Sequence, residues 1–350
     1  MTQRTLAGVI ALPIVLALII VAWVVPLPFT IYSPGPTVNV LGDYKGNPIV
    51  DVTGHKTYRD GGELRMTTVS ETTREAHLGL WALLSAWVSR DDAIYPHSVA
   101  YPDQHGTSQE DKQAGAAQMT SAQDDAAAAA LRKLGYRVPS VVAIAQVVKG
   151  APAAGALKVE DRLLKVGDTA VSTPDQAVKA VQAVKPGSKL VLTIKRGDAT
   201  KKVTVTAGSR EQKAYLGVSL GSAYDFPFQV HIGIDPAIGG PSAGLMMALS
   251  IYDTLTPGSL TGGQHVAGTG TIDAKGEVGL IGGIQQKIPG AMHDGAKLFL
   301  VPAGNCPDVQ GADHKDMRLV KVSTLDDAIS AIESWTKNHS AKLPTCRSGS

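Results

Sequence analysis

Ser242 is the residue of this 350-residue chain whose setting best suits nucleophilic chemistry. It stands in Ile232–Ser250, IGIDPAIGGPSAGLMMALS, after two glycines and a proline and before an almost wholly apolar segment. That segment predicts a buried helix, whose first N–H groups and positive dipole end can hold an oxyanion. Gly240 and Ala243 are the backbone candidates for this role. The alternative is structural, because serine is also a preferred helix N-cap.

Lys287 is the candidate base for this serine. It follows Gly282 and Gly283 in a segment that predicts a helix with apolar neighbours. A lysine accepts a proton only when it is neutral, and at an ordinary pKa near 10.4 about one molecule in 2500 is neutral at pH 7. Burial in an apolar pocket lowers such a pKa by about 3 units. The alternative is a solvated surface lysine, since lysine is rarely fully buried.

Both residues belong to a predicted unit over residues 209–337. Its first strand, FPFQVHIGID, alternates apolar and polar residues and runs toward the Ser242 turn. After the apolar helix come a strand, a hairpin around Asp273–Gly276, a second strand, the helix of Lys287 and the strand KLFLVP. This alternation predicts an α/β layer. His231 on the first strand offers a Ser-His-Asp alternative, although no acidic residue stands in an obvious position to orient it.

Two further regions precede this unit. Residues 29–136 are mixed, with a strand ELRMTTVS, a helix TREAHLGLWALLSAWV and a long Ala-rich helix. The long helix is predicted to open at Ser108, with Asp111 three residues on. No chemistry is evident in this region. Residues 137–208 hold short β-branched runs around one helix capped by Thr173, which predicts a small β domain.

Part of this small domain resembles a known peptide-binding module. The stretch Gly150–Val171, GAPAAGALKVEDRLLKVGDTAV, resembles the signature of bacterial PDZ domains, although Glu160 stands where that family usually has glycine. PDZ domains bind extended peptide ends by adding them as a strand to a sheet edge. The resemblance implies that the strand SVVAI offers this edge, through Val141, Val142 and Ala143. A small β domain that serves only as a spacer is the alternative.

The serine and lysine segments together resemble the proteolytic domain of Lon-type serine proteases. The matching motifs are GGPSAG around Ser242 and GTGTIDAKGEVGLIGGIQQK ending at Lys287. With its PDZ-like unit and apolar N-terminus, the chain is similar to membrane-bound Lon-like proteins of bacteria. The resemblance implies a Ser–Lys dyad with Lys287 as general base, and a Thr269 hydroxyl that orients the lysine amine. A cross-strand threonine is the alternative for Thr269. The resemblance also implies a homo-oligomeric ring, with a hexamer as the expected form.

Three positions depart from the Lon pattern, and one module is missing. Thr271 stands where Lon domains frequently carry glutamate after the TG motif. Lon domains commonly carry aspartate where this chain has Gly239, which leaves Asp235 as a speculative substitute. Pro289 falls inside the predicted helix of Lys287, where it should kink the helix or leave a carbonyl without a donor. The sequence lacks the G-x-x-x-x-G-K-[ST] phosphate loop, H-E-x-x-H and Cys/His metal clusters. It therefore predicts no ATP, no cofactor and no metal.

The N-terminus predicts a membrane anchor. Leu6–Val25, LAGVIALPIVLALIIVAWVV, has about the 20 apolar residues that a transmembrane helix needs. Arg4 on its amino side places the N-terminus in the cytoplasm and the bulk of the chain outside, so residues 1–28 are a cytoplasmic tip and anchor. A cleaved signal peptide is the alternative. An outside location permits a disulfide between Cys306 and Cys346, with two unpaired thiols as the alternative.

Composition excludes one class of partner. The net charge is +2, aromatic residues make up 5% of the chain, and the chain has no run of basic residues. A nucleic-acid partner would call for a basic patch interleaved with aromatic side chains. The sequence therefore predicts no nucleic-acid partner.

Together these features predict an α+β fold class. The chain comprises an N-terminal transmembrane helix, a mixed α/β region, a PDZ-like small β domain, a Lon-type proteolytic α/β domain and a tail over residues 338–350. The predicted function is an ATP-independent serine endopeptidase on a bacterial membrane, with its working domains outside the cytoplasm and polypeptides as substrates. One alternative is a peptide-binding membrane adaptor whose Lon-like domain serves only assembly. A membrane-bound peptidase of the signal-peptidase kind would share the chemistry but leaves the PDZ-like unit without a role.

Overall fold

The chain folds into two units. The computed structural model describes residues 9–17, 25–103, 106–197, 199–310 and 312–346. The larger unit combines the described residues up to Leu134 with those from Phe228 onward, and the smaller unit is Gly135–Pro227. The regions 29–136 and 209–337, which the sequence separates, therefore lie largely in one unit, because their strands share a sheet.

The first segment of the larger unit supplies strands, two short helices and one long helix. They are β1 (Phe29–Asn39), β2 (Asp43–Tyr44), β3 (Asn47–Pro48), β4 (Val50–Thr53), β5 (Glu63–Glu71), β6 (Ala93–Pro96), α1 (Leu80–Val88), α2 (His97–Ala100) and α3 (Ser108–Lys133). Helix α3 confirms the predicted Ala-rich helix. Its capping box lies one residue earlier than predicted: the Thr107 hydroxyl accepts the N–H of Glu110, whose carboxylate accepts the N–H of Thr107.

The smaller unit is an antiparallel sheet with one helix. Its elements are β7 (Ser140–Val147), β8 (Arg162–Val166), β9 (Thr169–Ala170), β10 (Lys189–Arg196), β11 (Ala199–Thr206), β12 (Gly208–Arg210), β13 (Lys213–Tyr215), β14 (Val218–Tyr224) and α4 (Pro174–Gln182). The sheet order is β11-β10-β8-β7-β14, with β9 beside β8. Thr173 caps α4 by accepting the N–H of Gln176, as predicted. Glu160 has a φ of 70°, in the left-handed region that favours glycine.

The strand predicted to offer the peptide edge lies inside this sheet. β7 pairs with β8 at Val142 and Ala143, and with β14 along its length, Val141 included. Both of its edges are occupied here, so the assignment of Val141, Val142 and Ala143 as a free edge is wrong for this arrangement. Edge strands of this sheet are β11 and β14, and β14 pairs only with β7 among the described strands.

The second segment of the larger unit completes the main sheet. Its elements are β15 (Gln229–Ile232), β16 (His265–Gly268), β17 (Thr271–Ile272), β18 (Val278–Gly279), β19 (Leu298–Pro302), β20 (Arg318–Val322), α5 (Gly244–Leu255), α6 (Ile284–His293), α7 (Leu325–Lys337) and a 3-10 helix at Ala303–Val309. The main sheet has the order β20-β19-β16-β5-β1-β6. It is parallel from β20 to β5 and antiparallel from β5 to β6. β17 and β18 form the hairpin predicted around Asp273–Gly276.

Helices α5 and α6 cover opposite faces of this sheet. A Cβ on Gly268 would meet Met246 of α5, whereas the preceding residue, Ala267, belongs to the hydrophobic cluster that includes Ile284 of α6. Successive residues of a strand point to opposite faces, so the two helices lie on either side of β16. β5 pairs with β16 only as far as Met66. Its remaining residues, 67–71, have no strand partner on that side in the described part of the chain.

The predicted transmembrane helix is not supported. Residues 9–17 are helical. In the part of the chain that the structure describes, every helix is too short or too polar to span a bilayer. The transmembrane part of the predicted fold class, and the single-pass membrane localisation that depended on it, are wrong for those residues. Residues 6–8 and 18–24 of the predicted span lie outside them.

Cys306 and Cys346 form a disulfide. This confirms the pairing and excludes the alternative of two unpaired thiols. It ties the C-terminal segment to the 3-10 helix after β19. In the chain-entropy view, closing a loop of this size contributes about 4 kcal/mol.

Candidate active site

Ser242 lies in the turn that leads into α5. The N-cap position of this helix is Ala243, and no side chain caps it, so the Ser242 hydroxyl does not serve as a helix cap. The Ser242 carbonyl accepts the N–H of Gly270 at 2.9 Å and the Thr269 hydroxyl at 3.1 Å. These bonds hold the serine against the chain that leaves the end of β16.

Lys287 reaches the serine from the helix on the other face of the sheet. Helix α6 begins after Gly283, whose φ of 68° lies in the left-handed region that favours glycine. The N–H of Lys287 donates to the Gly283 carbonyl at 3.1 Å, which places the lysine in the first turn. Its Nζ lies 2.9 Å from the Ser242 Oγ and 3.2 Å from the Thr269 Oγ1. The structure thus brings together the three residues that the motifs single out.

The Lys287 side chain is shut away from water. Only 2% of its surface is exposed, so the alternative of a solvated surface lysine does not hold. Burial lowers its pKa from 10.5 to about 8. A lysine with that pKa is neutral in about a tenth of molecules at pH 7, about 300 times the fraction expected at a pKa of 10.5. The amine therefore has the protonation behaviour that a general base needs.

A cleft of about 320 Å³ opens at the Ser242 hydroxyl. One wall is β5 from Met66 to Glu71, and another is the chain before the serine, Ala237 to Gly239. Met119 of α3 and Pro36 contribute the rest of the lining. Apolar residues of this lining with exposed surface include Val69, Met119 and Ile238.

Helix α3 also explains the missing aspartate. A Cβ on Gly239 would come within 3.1 Å of the Gly115 backbone in α3, so any side chain there would press against the helix. The N–H of the next residue, Gly240, donates to the Gly115 carbonyl at 2.9 Å. That N–H is therefore engaged in this structure and does not point freely at a substrate. Ala243, the other predicted oxyanion residue, is buried at the start of α5.

Three other candidates lie apart from the dyad. His231 is exposed on β15 and does not line the cleft. The Asp235 carboxylate accepts the N–H of Ala237 at 2.9 Å, so it shapes the loop before the serine. Helix α6 continues through Pro289 to His293, although that proline supplies no N–H to the helix. Among the described residues no group of three or more His, Cys, Asp or Glu side chains could hold a metal ion.

Two walls of the cleft come from the region in which sequence reasoning found no chemistry. Strand β5 and helix α3 both belong to residues 29–136. One available signal was Gly115, a glycine inside a predicted helix, because such a glycine weakens the helix and often marks a close backbone contact. The free half of β5 left no signal in the sequence, since strand pairing decides it.

The smaller unit carries a second candidate binding site. An apolar groove of about 380 Å³ runs between α4 and the free edge of β14. Val178 and Val181 of α4 line one side, and Leu216, Val218 and Leu220 line the other. An open strand edge beside an apolar groove is the geometry that takes up a peptide strand.

Comparisons with known families agree with both motifs. Residues 116–207 match the PDZ domain, and residues 175–333 match the Lon protease (S16) C-terminal proteolytic domain. The Lon protease of Paraburkholderia phytofirmans is 33% identical over 153 residues, which is 42% of this chain and 19% of that protein. Lon protease 1 of Bacillus subtilis is 29% identical over 184 residues, which is 50% of this chain and 23% of that protein.

Among solved structures, the PDZ domain of the SdrC-like protein from Listeria monocytogenes is similar to part of the chain. It is 18% identical, covers 23% of this chain and 85% of that one, and has a TM-score of 0.22. The chain spans about a fifth of the length of the Lon proteases that it matches. The matches confirm the PDZ and Lon resemblances, and the Lon similarity supports a serine peptidase.

Proposed function

We propose that this protein is a serine endopeptidase that cuts polypeptides without ATP, with Ser242 as nucleophile and Lys287 as general base. The observation that carries the proposal is the 2.9 Å contact between the buried Lys287 amine and the Ser242 hydroxyl. A serine hydroxyl is a weak nucleophile until an adjacent base takes its proton. Similarity to Lon proteolytic domains supports the same class of chemistry.

In the proposed reaction the neutral Lys287 amine takes the Ser242 proton as Oγ attacks the peptide carbonyl carbon. Thr269 accepts an N–H of the amine, which turns the nitrogen lone pair toward the serine. The carbonyl oxygen becomes an oxyanion at the start of α5, near the Ala243 N–H. The lysine ammonium then gives its proton to the departing amine, and the C–N bond breaks. The amine next takes a proton from a water that attacks the acyl carbon. The resulting ammonium gives this proton to Oγ as the acyl C–O bond breaks, which restores Ser242 and the neutral amine.

The cleft supports an extended polypeptide as substrate. Residues 67–71 of β5 present an open strand edge along the cleft, so a peptide can pair with it as an added strand. The apolar side chains of Val69, Met119 and Ile238 favour an apolar residue beside the scissile bond. In the smaller unit, the β14 edge and its groove would hold a second peptide segment. A homo-oligomeric ring stays a prediction from the Lon resemblance.

The direct test is digestion of casein by the full chain in the absence of nucleotide. We expect cleavage by the wild type, loss of cleavage in Ser242→Ala and Lys287→Ala, and no stimulation by ATP. The matched control is Ser334→Ala with Lys337→Ala, which alters an S-x-x-K pair exposed on α7. If the two dyad variants cut casein as fast as the wild type, the dyad assignment fails.

A peptide-binding adaptor without turnover is the competing function. The engaged Gly240 N–H favours it, because an oxyanion hole needs free donors. This hypothesis predicts peptide binding but no Ser242-dependent cleavage of any unfolded polypeptide. Mass spectrometry of a denatured-protein mixture, after incubation with wild type or Ser242→Ala, distinguishes the two.

A further inference from the structure

The cleft carries a carboxylate at a defined distance from the dyad. The Thr67 hydroxyl donates to the Gly268 carbonyl at 3.2 Å, and Gly268 directly precedes Thr269, so Thr67 marks the catalytic end of the open edge. Glu71 lies four residues farther along β5, about 13 Å away at about 3.3 Å per residue. Among the described residues that line the cleft, Glu71 is the acidic one.

The charge of Glu71 is not neutralised within the described part of the chain. Its side chain is exposed and takes part in none of the ion pairs there. The cation closest in sequence, Arg74, is committed elsewhere: its guanidinium donates to both carboxylate oxygens of Asp111, at 2.9 and 2.8 Å. The same guanidinium stacks over the Tyr101 ring, 4.5 Å from its centre. The Tyr32 and Tyr101 hydroxyl groups hydrogen-bond to this carboxylate but are neutral, so its negative charge remains available to a cationic ligand.

Neighbouring tyrosines hold Glu71 in place. Tyr32 of β1 lies directly across from it in the strand register. Burial and the Glu71 charge raise the pKa of Tyr32 to about 12, so its hydroxyl stays protonated and faces a carboxylate. The Tyr101 hydroxyl donates to the carbonyl of Thr72, the next residue, at 2.8 Å. The Tyr101 hydrogen bond and the pairing with β1 thus hold the end of β5 in place.

We infer that Glu71 selects substrates that carry lysine or arginine about four residues from an apolar residue at the scissile bond. The inference depends on the proposed peptidase function and on pairing of the substrate with the open half of β5. An extended peptide advances at the same rate as the strand beside it. A residue four positions from the one beside Thr67 therefore lies beside Glu71. An exposed ion pair of this kind gives about a 2- to 5-fold preference at low salt.

The test uses the full chain and fluorogenic dodecapeptides with one leucine in an alanine–serine background. A single lysine is placed three, four or five positions from the leucine on either side, and matched peptides carry glutamine or glutamate there. We expect kcat/KM to favour lysine over glutamine about 2- to 5-fold at the four-residue spacing on one side. The ratio should fall to about one in Glu71→Gln, and Glu71→Lys should favour the glutamate peptides.

The control is Asp316→Asn, which removes an exposed carboxylate next to β20, three strands away from β5 in the sheet. It should keep the lysine preference. Equal lysine-to-glutamine ratios of kcat/KM in wild type and Glu71→Gln would overturn the inference. Cleavage that depends on Ser242 would in that case still support the peptidase function. If no peptide is cut, fluorescence anisotropy of the labelled peptides on Ser242→Ala protein measures the same ratio. Absence of turnover would then contradict the peptidase function. Equal affinities for the lysine and glutamine peptides would contradict the selection by Glu71.

Discussion

The two units of this protein each leave a strand edge open, but they surround it differently. In the larger unit the open half of β5 lies beside a buried amine and a hydroxyl. In the smaller unit the open edge of β14 lies beside an apolar groove lined largely by aliphatic side chains. Both edges have the geometry that takes up a peptide strand, whereas among the described residues the first also has a buried lysine amine in contact with a serine hydroxyl.

The difference teaches what catalysis demands beyond binding. A binding groove beside a strand edge can be built from one sheet and one helix, as β14 and α4 show. A neutral lysine needs burial from several sides, and here helices on opposite faces of the sheet supply it where β16 ends. The following predictions test this contrast, from the largest expected effect to the smallest.

The largest effect is expected from Lys287→Met, which removes the base but keeps the volume. Hydrolysis should fall about a thousandfold. The free energy of unfolding at pH 7 should rise by about 1–3 kcal/mol, because the fold no longer buries a group that is mostly protonated. Peptide hydrolysis and urea unfolding measure the two effects. Lys275→Met, at an exposed lysine, should change neither, and a destabilised Lys287→Met would contradict the burial argument.

The pH dependence of hydrolysis should report the Lys287 pKa of about 8. The reacting form is the neutral amine, so kcat/KM should rise about tenfold per pH unit below pH 8 and level off above it. Between pH 6 and pH 8 the rise should be about fiftyfold, because half of the amine is already neutral at a pH equal to its pKa. The substrates should be uncharged peptides, so that attraction to Glu71 does not contribute to the measured kcat/KM. A midpoint near pH 6.5 would instead indicate a histidine base and would sink the lysine assignment.

Thr269→Val should give an intermediate loss, because the hydroxyl positions the amine without touching substrate. We expect kcat to fall about tenfold while KM changes little, since valine cannot accept the Lys287 N–H or donate to the Ser242 carbonyl. Thr269→Ser should restore most of the rate. If Thr269→Val hydrolysed peptides at the wild-type rate, Thr269 would not position the amine and would be only a cross-strand threonine.

The smallest effect is expected in the groove of the smaller unit. Val178→Glu places a charge among apolar groove residues and should weaken binding of apolar peptide ends about 5- to 10-fold. The Ser242→Ala background keeps turnover out of a fluorescence binding assay. The matched control is Val191→Glu: both valines are about equally exposed, at 42% and 41%, but Val191 does not line the groove. Equal losses in both variants would argue against binding at the β14 edge.

Motifs and local patterns were sufficient for part of the fold and of the site. The motif pair predicted Ser242, Lys287 and Thr269, which the structure brings within hydrogen-bond distance. Local spacing also predicted the α4 cap at Thr173 and the hairpin between β17 and β18. These features depend on residues close together in the chain or on a recognised pattern.

Other features failed because they depend on pairing at a distance. The assignment of β7 as a free edge was wrong, since β14, some seventy residues later in the chain, pairs with it. The transmembrane helix predicted from apolar composition is not found among the described residues. The contributions of Met119 and Glu71 to the cleft were missed, because α3 and β5 come from a part of the chain far from the serine.

By itself the sequence determined which side chains can react: a serine at a helix start, a lysine after paired glycines, and a threonine between them. Tertiary structure alone decided whether that lysine can be neutral enough to act as a base. Its pKa depends on exclusion of water, and water is excluded only when the start of α5, the first turn of α6 and the end of β16 meet. The same assembly leaves β5 open beyond Met66, and so decides where a peptide can lie.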